Sequence, residues 1–450
     1  MPETLDETYE RVLKEINKAN REHACRLLRC LTVALRPLRV EELAEVLAID
    51  FDGSANGGIP ELNPKWRWED QHQAVLSTCS SLIAIVDDGD SQVVQFSHYS
   101  VKEYLTSDRL ALSSGDVSRY HVVFEPAHTI LAQACLGVLL RLGDRVGDDD
   151  IGDIHLVKYA ARHWFDHAGF ENVPSRIRDA MEYFFDADKP HWRAWCEVQE
   201  VDEQWGGFSP DARDYAFPLY YASLGGFYDL AEHLVGKHPE HINARGGQMV
   251  TPLVAALRGK HFEVAELLHR HGADVDVRER DGDTPLREVY RAGIECLDIA
   301  QWLLNHGADV NAQGYYLRTA LHTAAARGHL QPLEILIEHN PNVHLRTERG
   351  ASPLHSTTGA HVDIMQVLLD RGADPNARDN KNRTPLHYSS YPGISEFSSP
   401  PGTVEGTRLL LKHGATIDAE DDEGETPLQL ALEYGLHDIA TCLKEHGATR

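Results

Sequence analysis

The sequence lacks several features that mark membrane, secreted and metal-binding proteins. No run of eighteen apolar residues occurs, since the longest apolar stretch, 130–142, is interrupted by Gln and Arg. No charged and then apolar leader follows Met1. The seven cysteines are scattered and form no C-x-x-C pair, which argues against a disulfide framework and a zinc ribbon. These absences predict a cytoplasmic protein with no membrane partner, without ruling out the nucleus.

Positive charge is also scarce. The 450 residues include 43 Lys and Arg against 70 Asp and Glu, for a net charge of −27. The acidic excess extends over the whole chain, so phosphate backbones and anionic lipids would be repelled. We therefore expect no nucleic acid partner. The 42% hydrophobic content is that of an ordinary globular protein, long enough here for several domains.

A repeated pattern dominates the C-terminal half. A tripeptide of the Thr-Pro-Leu type begins at positions 251, 284, 319, 352, 384 and 426, and Phe217-Pro218-Leu219 is a weaker first copy. A second motif, His-Gly-Ala-Asp or a close variant, recurs in phase with it. The spacing of about 33 residues resembles that of ankyrin repeats, in which a β-turn precedes two antiparallel helices. We predict a mainly α protein with a solenoid of about seven ankyrin repeats over 211–450.

Each repeated residue type has a physical role in such a unit. The Thr is expected to cap the first helix, the Pro to occupy its first turn, and a Gly such as Gly293 or Gly328 to end it in a left-handed conformation. Leu-Leu pairs on the second helix pack against neighbouring repeats. His322, His355 and His387 recur beside the tripeptide, so we predict that they are structural and bond near its hydroxyl residue.

Residues 1–112 are predicted to form a winged-helix-like domain, and 113–210 a helical linker region. The apolar periods of the first domain predict three helices within 5–48, a helix over 73–81, a hairpin of strands 82–86 and 92–96, and a helix through Leu105 that begins with a capping box of Ser100 and Glu103. Winged helices often bind DNA. The acidic third helix, with Glu41, Glu42 and Glu45, instead favours packing against protein.

Three strings carry a further resemblance: LDETYERVL at 5–13, RPLRVEELA at 36–44 and HYSVKEYL at 98–105. They resemble the segment that follows the NACHT domain in fungal STAND-type signalling ATPases, labelled the winged helix of inositol-deacylase-like proteins. Because ankyrin repeats follow this segment in the chain, the resemblance implies a fungal NACHT–ankyrin layout. No G-x-x-x-x-G-K-[ST] motif occurs, and Gly259-Lys260-His261 lacks the hydroxyl needed for magnesium. No ATPase activity is therefore assigned.

Motifs for catalysis or metal binding are few. The linker region reads as helices over 130–142, 156–165 and 177–185, and its acidic stretch 148–153 lacks the ligand spacing of a calcium loop. His163 and His167 stand one helical turn apart, as zinc ligands can, but have no evident third ligand. No G-x-S-x-G elbow or catalytic cysteine motif is present. We predict no enzyme activity, cofactor, metal or small-molecule substrate.

The predicted function is a non-catalytic scaffold that binds other proteins through the concave face of the repeats. The alternative is the sensor tail of a STAND-type NTPase. Tyr315 and Tyr316 are either binding residues or packed on a neighbour, and the insert over 391–407 is either a contact arm or a tolerated loop. Aligned repeats place candidate binding residues on the turn tips and the first-helix surface: Gln248, Arg280, Asp281, Tyr315, Tyr316, Arg318, Glu348, Arg349, Asn380, Lys381, Arg383, and Arg258, Arg291, Arg327, Tyr391.

Overall fold

The computed structural model is mainly helical and divides into two compact bodies. The N-terminal body is Met1–Gly272 and the C-terminal body is Ala273–Arg450. Within the described residues no helix combines the length and apolar character needed to cross a membrane. The structure describes residues 5–51, 59–79, 81–89, 91–113, 115–143, 154–198, 216–246, 251–278, 282–292, 297–357, 361–391 and 402–449.

Over its described residues, the N-terminal domain combines short helices with a three-stranded antiparallel sheet and a two-stranded one. Its helices are α1 Leu5–Glu15, α2 Arg21–Val33, α3 Val40–Leu47, α4 Gln71–Cys79, α5 Tyr99–Leu105 and α6 Asp108–Ala111, and its strands are β1 Leu38–Arg39, β2 Ile49–Asp50, β3 Glu61–Leu62, β4 Ile83–Asp88 and β5 Ser91–Phe96. The predicted hairpin is β4 and β5, in which Ile85 pairs with Val94. Strand β1 adds to the other edge of β5, giving the order β1-β5-β4, and β2 and β3 form the two-stranded sheet.

The start of α5 differs from the prediction. The helix begins at Tyr99, one residue before the proposed cap, and its N-cap is His98, whose ring accepts a hydrogen bond from the Ser100 N–H. The Ser100 hydroxyl lies 2.7 Å from the Tyr9 hydroxyl. The predicted capping box of Ser100 and Glu103 is therefore wrong, because an imidazole nitrogen can accept the same backbone hydrogen bond as a serine oxygen. The predicted helix end at Leu105 is correct.

The helical region that follows packs onto the first repeat through aromatic side chains. Trp164 is fully buried. Its ring centroid lies 5.5 Å from that of Trp195 and 6.2 Å from that of Phe227, and Phe227 is the N-cap of the second helix of the first repeat. Aromatic rings at these distances contribute beyond their buried area. The helices are α7 Phe124–Gly143, α8 Val157–Ala168, α9 Val173–Arg176, α10 Arg178–Phe184 and α11 His191–Val198.

Seven helix pairs follow in the part of the chain that the structure describes, one for each tripeptide motif. The first two pairs belong to the N-terminal body and the other five to the C-terminal body. The pairs are α12 Pro218–Leu224 with α13 Tyr228–Lys237, α14 Pro252–Arg258 with α15 Phe262–Arg270, α16 Pro285–Ala292 with α17 Leu297–Asn305, α18 Ala320–Arg327 with α19 Leu330–Glu338, α20 Pro353–Ser356 with α21 Val362–Asp370, α22 Pro385–Ser389 with α23 Val404–Lys412, and α24 Pro427–Glu433 with α25 His437–Glu445.

The recurring histidines have the structural role that was predicted, and they also join consecutive repeats. The N–H of Thr319 donates to Nδ1 of His322 over 3.2 Å, and the Thr319 hydroxyl lies 2.8 Å from the same nitrogen. Because Nδ1 accepts, Nε2 carries the proton and donates to the Ala351 carbonyl of the next repeat over 3.2 Å. The arrangement recurs at Ser352, His355 and the Arg383 carbonyl, and at Thr384, His387 and the Glu425 carbonyl.

Gly328 ends α18 in the left-handed conformation predicted for it, with φ +74°, whereas Gly293 lies outside the described residues. A Cβ at Gly328 would also stand 2.3 Å from the His361 ring of the next repeat. Gly435 occupies the equivalent place in the last repeat, with φ +69° and no atom within 4 Å of a Cβ.

We expect Gly435→Ala to lower the free energy of unfolding by roughly 1–2 kcal/mol, the strain of a left-handed alanine. Gly328→Ala should cost clearly more, because the His361 ring must also move. Urea unfolding of both variants measures the difference. Equal losses in the free energy of unfolding would show that the ring of His361 yields without cost.

Candidate functional site

The predicted binding residues fall into separate places. Three of them, Gln248, Arg280 and Asp281, lie outside the described residues. Arg258 is exposed at the end of α14 in the N-terminal body. The others belong to the C-terminal body. Among those, Arg291 forms an ion pair with Glu288 on its own helix, with Nε 2.6 Å from Oε2, and Arg327 is exposed at the end of α18.

The tyrosine pair forms an exposed turn tip. Tyr315 and Tyr316 pack on each other with ring centroids 4.0 Å apart, and they remain 49% and 44% exposed. Tyr316 adopts a left-handed backbone with φ 58°, and its carbonyl accepts from the N–H of Glu348 in the next repeat over 2.9 Å. The guanidinium of Arg318 lies 5.8 Å from the Tyr316 ring. The two rings thus contact each other, and each keeps exposed surface that a partner can cover.

Six of the predicted residues meet in one cleft formed by the fifth, sixth and seventh repeats. It has a volume of about 630 Å³, and we call it the tyrosine–carboxylate cleft. The predicted residues that line it are Glu348, Arg349, Asn380, Lys381, Arg383 and Tyr391. The lining residues that the sequence analysis missed are Asp379, Tyr388, Glu423, Glu425, Leu430, Glu433 and Tyr434. The insert that follows Tyr391 lies outside the described residues between 392 and 401.

A simple extension of the repeat alignment would have found part of the missed set. Tyr391 stands seven residues after Thr384, and the same offset from Thr426 reaches Glu433, directly before Tyr434. The seventh repeat thus supplies the same helix-surface position as the sixth.

Hydrogen bonds hold the floor of the cleft. The Arg383 Nε donates to Oδ2 of Asp421 over 3.2 Å, and that carboxylate is 1% exposed. The hydroxyl of Tyr388 donates to Oδ2 of Asp379 over 3.0 Å. The backbone N–H of Lys381 donates to the other oxygen of Asp379 over 2.8 Å. These bonds fix the floor side chains before any partner arrives, which reduces the entropy that binding must remove.

Two tyrosines form one wall of the cleft. The rings of Tyr391 and Tyr434 have centroids 4.3 Å apart at 54°. The hydrogen bond to Tyr391 raises the pKa of Tyr434 to about 12, so the Tyr434 phenol stays un-ionised at neutral pH. Tyr434 remains 41% exposed. A neutral aromatic face of this kind attracts a cation placed over it.

The cleft carries an excess of negative charge. Its lining contains five carboxylates against three cationic side chains, and one of the cations, Arg383, is paired with Asp421 beneath the surface. Burial raises the pKa of Glu425, and the neighbouring carboxylates of Glu433, Asp421 and Glu423 raise it further. The contribution of these neighbouring carboxylates indicates a local negative potential, which a positively charged group from outside would relieve.

The histidine pair on α8 does not form a metal site. His167 is fully buried, with Nδ1 2.9 Å from Nδ1 of His128 and Nε2 2.8 Å from the Tyr159 hydroxyl. Both ring nitrogens are engaged in hydrogen bonds, so neither is free to bind an ion. Burial is also the main reason that the pKa of His167 is lowered to about 3.

Comparison with known proteins agrees with this architecture. The family described as Ankyrin repeats (3 copies) matches in overlapping segments over residues 219–314, 295–379, 321–399 and 359–449, about half of the chain. The chain belongs to the ankyrin-repeat family. The predicted mainly α fold with ankyrin repeats is confirmed. In this ankyrin-repeat protein, residues 9–115 match the family described as GPI inositol-deacylase, winged helix domain, which confirms the predicted winged helix.

Curated relatives match parts of this ankyrin-repeat protein. The azaphilone pigments biosynthesis cluster protein L of Monascus ruber is 30% identical over 295 residues, which is 61% of this chain and 60% of that protein. Human ankyrin repeat and SOCS box protein 16 is 35% identical over 38% of this chain and 39% of its own length. Ankyrin repeat protein nuc-2 of Neurospora crassa is 29% identical over 40% of this chain and 17% of its own length. The repeats support a role in protein interaction.

Proposed function

We propose that this protein is a non-catalytic scaffold that binds a partner protein in the tyrosine–carboxylate cleft of its fifth to seventh repeats. The observation that supports this most directly is the convergence of six predicted binding residues with Tyr434 and Glu433 on one cleft of about 630 Å³. Clefts of this volume accommodate a few side chains of a partner. Tyrosine and arginine, which dominate the energetics of protein interfaces, both line it.

The chemistry of the cleft indicates which partner segment it takes. The Tyr391 and Tyr434 rings offer aromatic faces, and the carboxylates of Glu425 and Glu433 lie in the same lining. An arginine or lysine side chain satisfies both, since it binds over an aromatic face and pairs with a carboxylate. We therefore propose a partner segment that presents basic side chains. The net charge of −27 would attract such a segment from a distance.

A peptide-display experiment tests this function. Random peptides displayed on phage are selected on the full chain, and the affinities of selected peptides are measured by fluorescence anisotropy. We expect selected sequences to be rich in Arg and Lys. Glu425→Gln with Glu433→Gln should weaken their binding at least about tenfold, equivalent to about 1.4 kcal/mol, through loss of the carboxylate charges. Tyr391→Leu with Tyr434→Leu should weaken it through loss of the aromatic faces.

The matched control keeps the same change in net charge outside the cleft. Glu334 and Glu338 are exposed on the second helix of the fourth repeat. Glu334→Gln with Glu338→Gln should leave the peptide affinity within about twofold of that of the parent protein. Removing two of the 70 acidic charges changes the long-range attraction only slightly. Selected peptides without basic residues, or an equal loss in this control, would contradict the proposed site.

A second candidate function is the sensor tail of a STAND-type NTPase, in which the repeats bind a ligand and the winged helix transmits the signal. The match of residues 9–115 to a winged-helix family favours it. So does the packing of Trp164 against Phe227, which connects the helical region to the first repeat. Sequencing the transcript on the 5′ side of the Met1 codon tests it. An in-frame G-x-x-x-x-G-K-[ST] motif would support this function, and a stop codon ahead of Met1 would contradict it.

A further inference from the structure

The segment that closes the first repeat brings three metal-ligating side chains together. Helix α13 ends at Lys237, and His238-Pro239-Glu240-His241 follows as a tight turn whose last three residues form a 3₁₀ helix. The N–H of His241 donates to the His238 carbonyl over 3.0 Å. The ring of Pro239 fixes its own φ. Three potential ligands therefore project from a single stiff turn.

The ligand atoms lie close to the spacing of a zinc site. Nδ1 of His238 is 3.3 Å from Oε1 of Glu240, and Nε2 of His241 is 3.9 Å from the same oxygen. All three ligand atoms lie within 4.8 Å of one another. Zinc binds imidazole nitrogen and carboxylate oxygen at about 2.0–2.1 Å in a tetrahedron, which places neighbouring ligands about 3.3–3.4 Å apart. Side-chain movements that close separations of up to 4.8 Å to about 3.4 Å would complete this geometry.

We propose that His238, Glu240 and His241 bind a divalent transition metal ion, with zinc as the preferred ion. Two imidazoles and one carboxylate form a ligand set that zinc uses in proteins, with a fourth position left for water or for a further ligand. The side chain of Glu240 is 63% exposed, so that fourth position is open to solvent. Calcium and magnesium are disfavoured, since they bind oxygen ligands.

The surroundings hold the ligands in place. The ring of Phe217 stacks on His241 with centroids 4.0 Å apart at 23°, and the ring of His238 stacks with that of His241 at 5.2 Å. Stacking restricts rotation of the His241 ring and so reduces the entropy lost when an ion binds.

Among the described residues, this is the single group of three His, Cys, Asp or Glu side chains whose ligand atoms converge in this way. The ordinary alternative is a hydrogen bond between His238 and Glu240 at the surface. That alternative predicts no saturable ion binding, so the two can be separated by titration.

The test uses full-length protein without a histidine tag. Co²⁺ is titrated while its visible d–d absorption is recorded, and Zn²⁺ is then added as a competitor. We expect one Co²⁺ per chain with the intense absorption of tetrahedral cobalt, displacement by one equivalent of Zn²⁺, and a rise in Tm with Zn²⁺ because an ion that binds only the native state stabilises it.

Two variants and one control decide the outcome. His238→Ala with His241→Ala should abolish the cobalt spectrum, and the isosteric Glu240→Gln should weaken Co²⁺ binding at least about tenfold while leaving the metal-free Tm unchanged. The control, His344→Ala with His437→Ala, removes two exposed histidines elsewhere and should bind as the parent does. Absence of a one-to-one endpoint in the parent, or an equal loss in the control, would overturn the proposal.

Discussion

Replacing Trp164 with alanine is expected to destabilise the N-terminal body by about 3–5 kcal/mol, the cost typical of deleting a large buried aromatic side chain. The side chain is fully buried. Its ring meets Phe184 edge-on at 5.4 Å and Trp195 at 5.5 Å, and it approaches Phe227 of the first repeat at 6.2 Å. The substitution removes buried area and leaves a cavity between the helical region and the repeat.

Urea unfolding followed by far-UV circular dichroism measures this loss without relying on the fluorescence of the deleted side chain. Trp66→Ala is the matched control, because the same side chain is deleted from a position that is 49% exposed. We expect the control to change the free energy of unfolding by less than about 1 kcal/mol. A Trp164→Ala variant as stable as the control would show that the aromatic cluster adds little to this body.

The sequence predicted the repeats well because each repeated residue has a local physical reason. Thr319 caps a helix, Gly328 takes a positive φ and His322 bonds to the cap three residues before it. Each of these contacts spans only a few residues, so spacing alone reveals it. The bond from His322 to the Ala351 carbonyl spans 29 residues and is visible only in the structure.

The winged helix and the helical region were predicted less completely. The hairpin of β4 and β5 could be recognised because two strand-like runs flank an acidic, glycine-containing turn at 87–90 of the sequence. The two-residue strands β1, β2 and β3 are too short to show any period, so they were missed. The contact between Trp164 and Phe227 joins residues far apart in the chain, and no local pattern indicates it.

The candidate sites also differ in how much of each the sequence could predict. Turn-tip residues such as Arg349 and Lys381 were found because the repeat alignment gives their positions directly, and the structure brings them to one cleft. One-turn spacing on a helix made His163 and His167 possible zinc ligands, but no third ligand was evident and no metal was predicted. The three-residue spacing of His238 and His241 gives no such signal, because the two rings come together only in a 3₁₀ turn.

Acidification is expected to destabilise the C-terminal body through its inter-repeat histidines. Burial lowers the pKa of His322 and of His355 to about 4 in the folded protein, and it also lowers the pKa of His387. The unfolded chain has a histidine pKa of about 6.5. As pH falls from about 6.5 to 4, the unfolded state therefore binds protons before the folded state does. Each fully shifted histidine should remove about 1.4 kcal/mol of stability per pH unit in that window.

The last repeat shows which substitution separates this effect from the titration of carboxylates. There Gln429 replaces the histidine, and its Oε1 accepts from the N–H of Thr426 over 2.8 Å. Glutamine at 322, 355 and 387 can thus make the same capping bond without titrating. Urea unfolding of the parent and of the triple glutamine variant at several pH values from 7 to 4.5 compares their slopes. The variant should lose less stability per pH unit, because three groups that take up protons on unfolding are gone. Parallel slopes would mean that the buried histidines do not control acid stability.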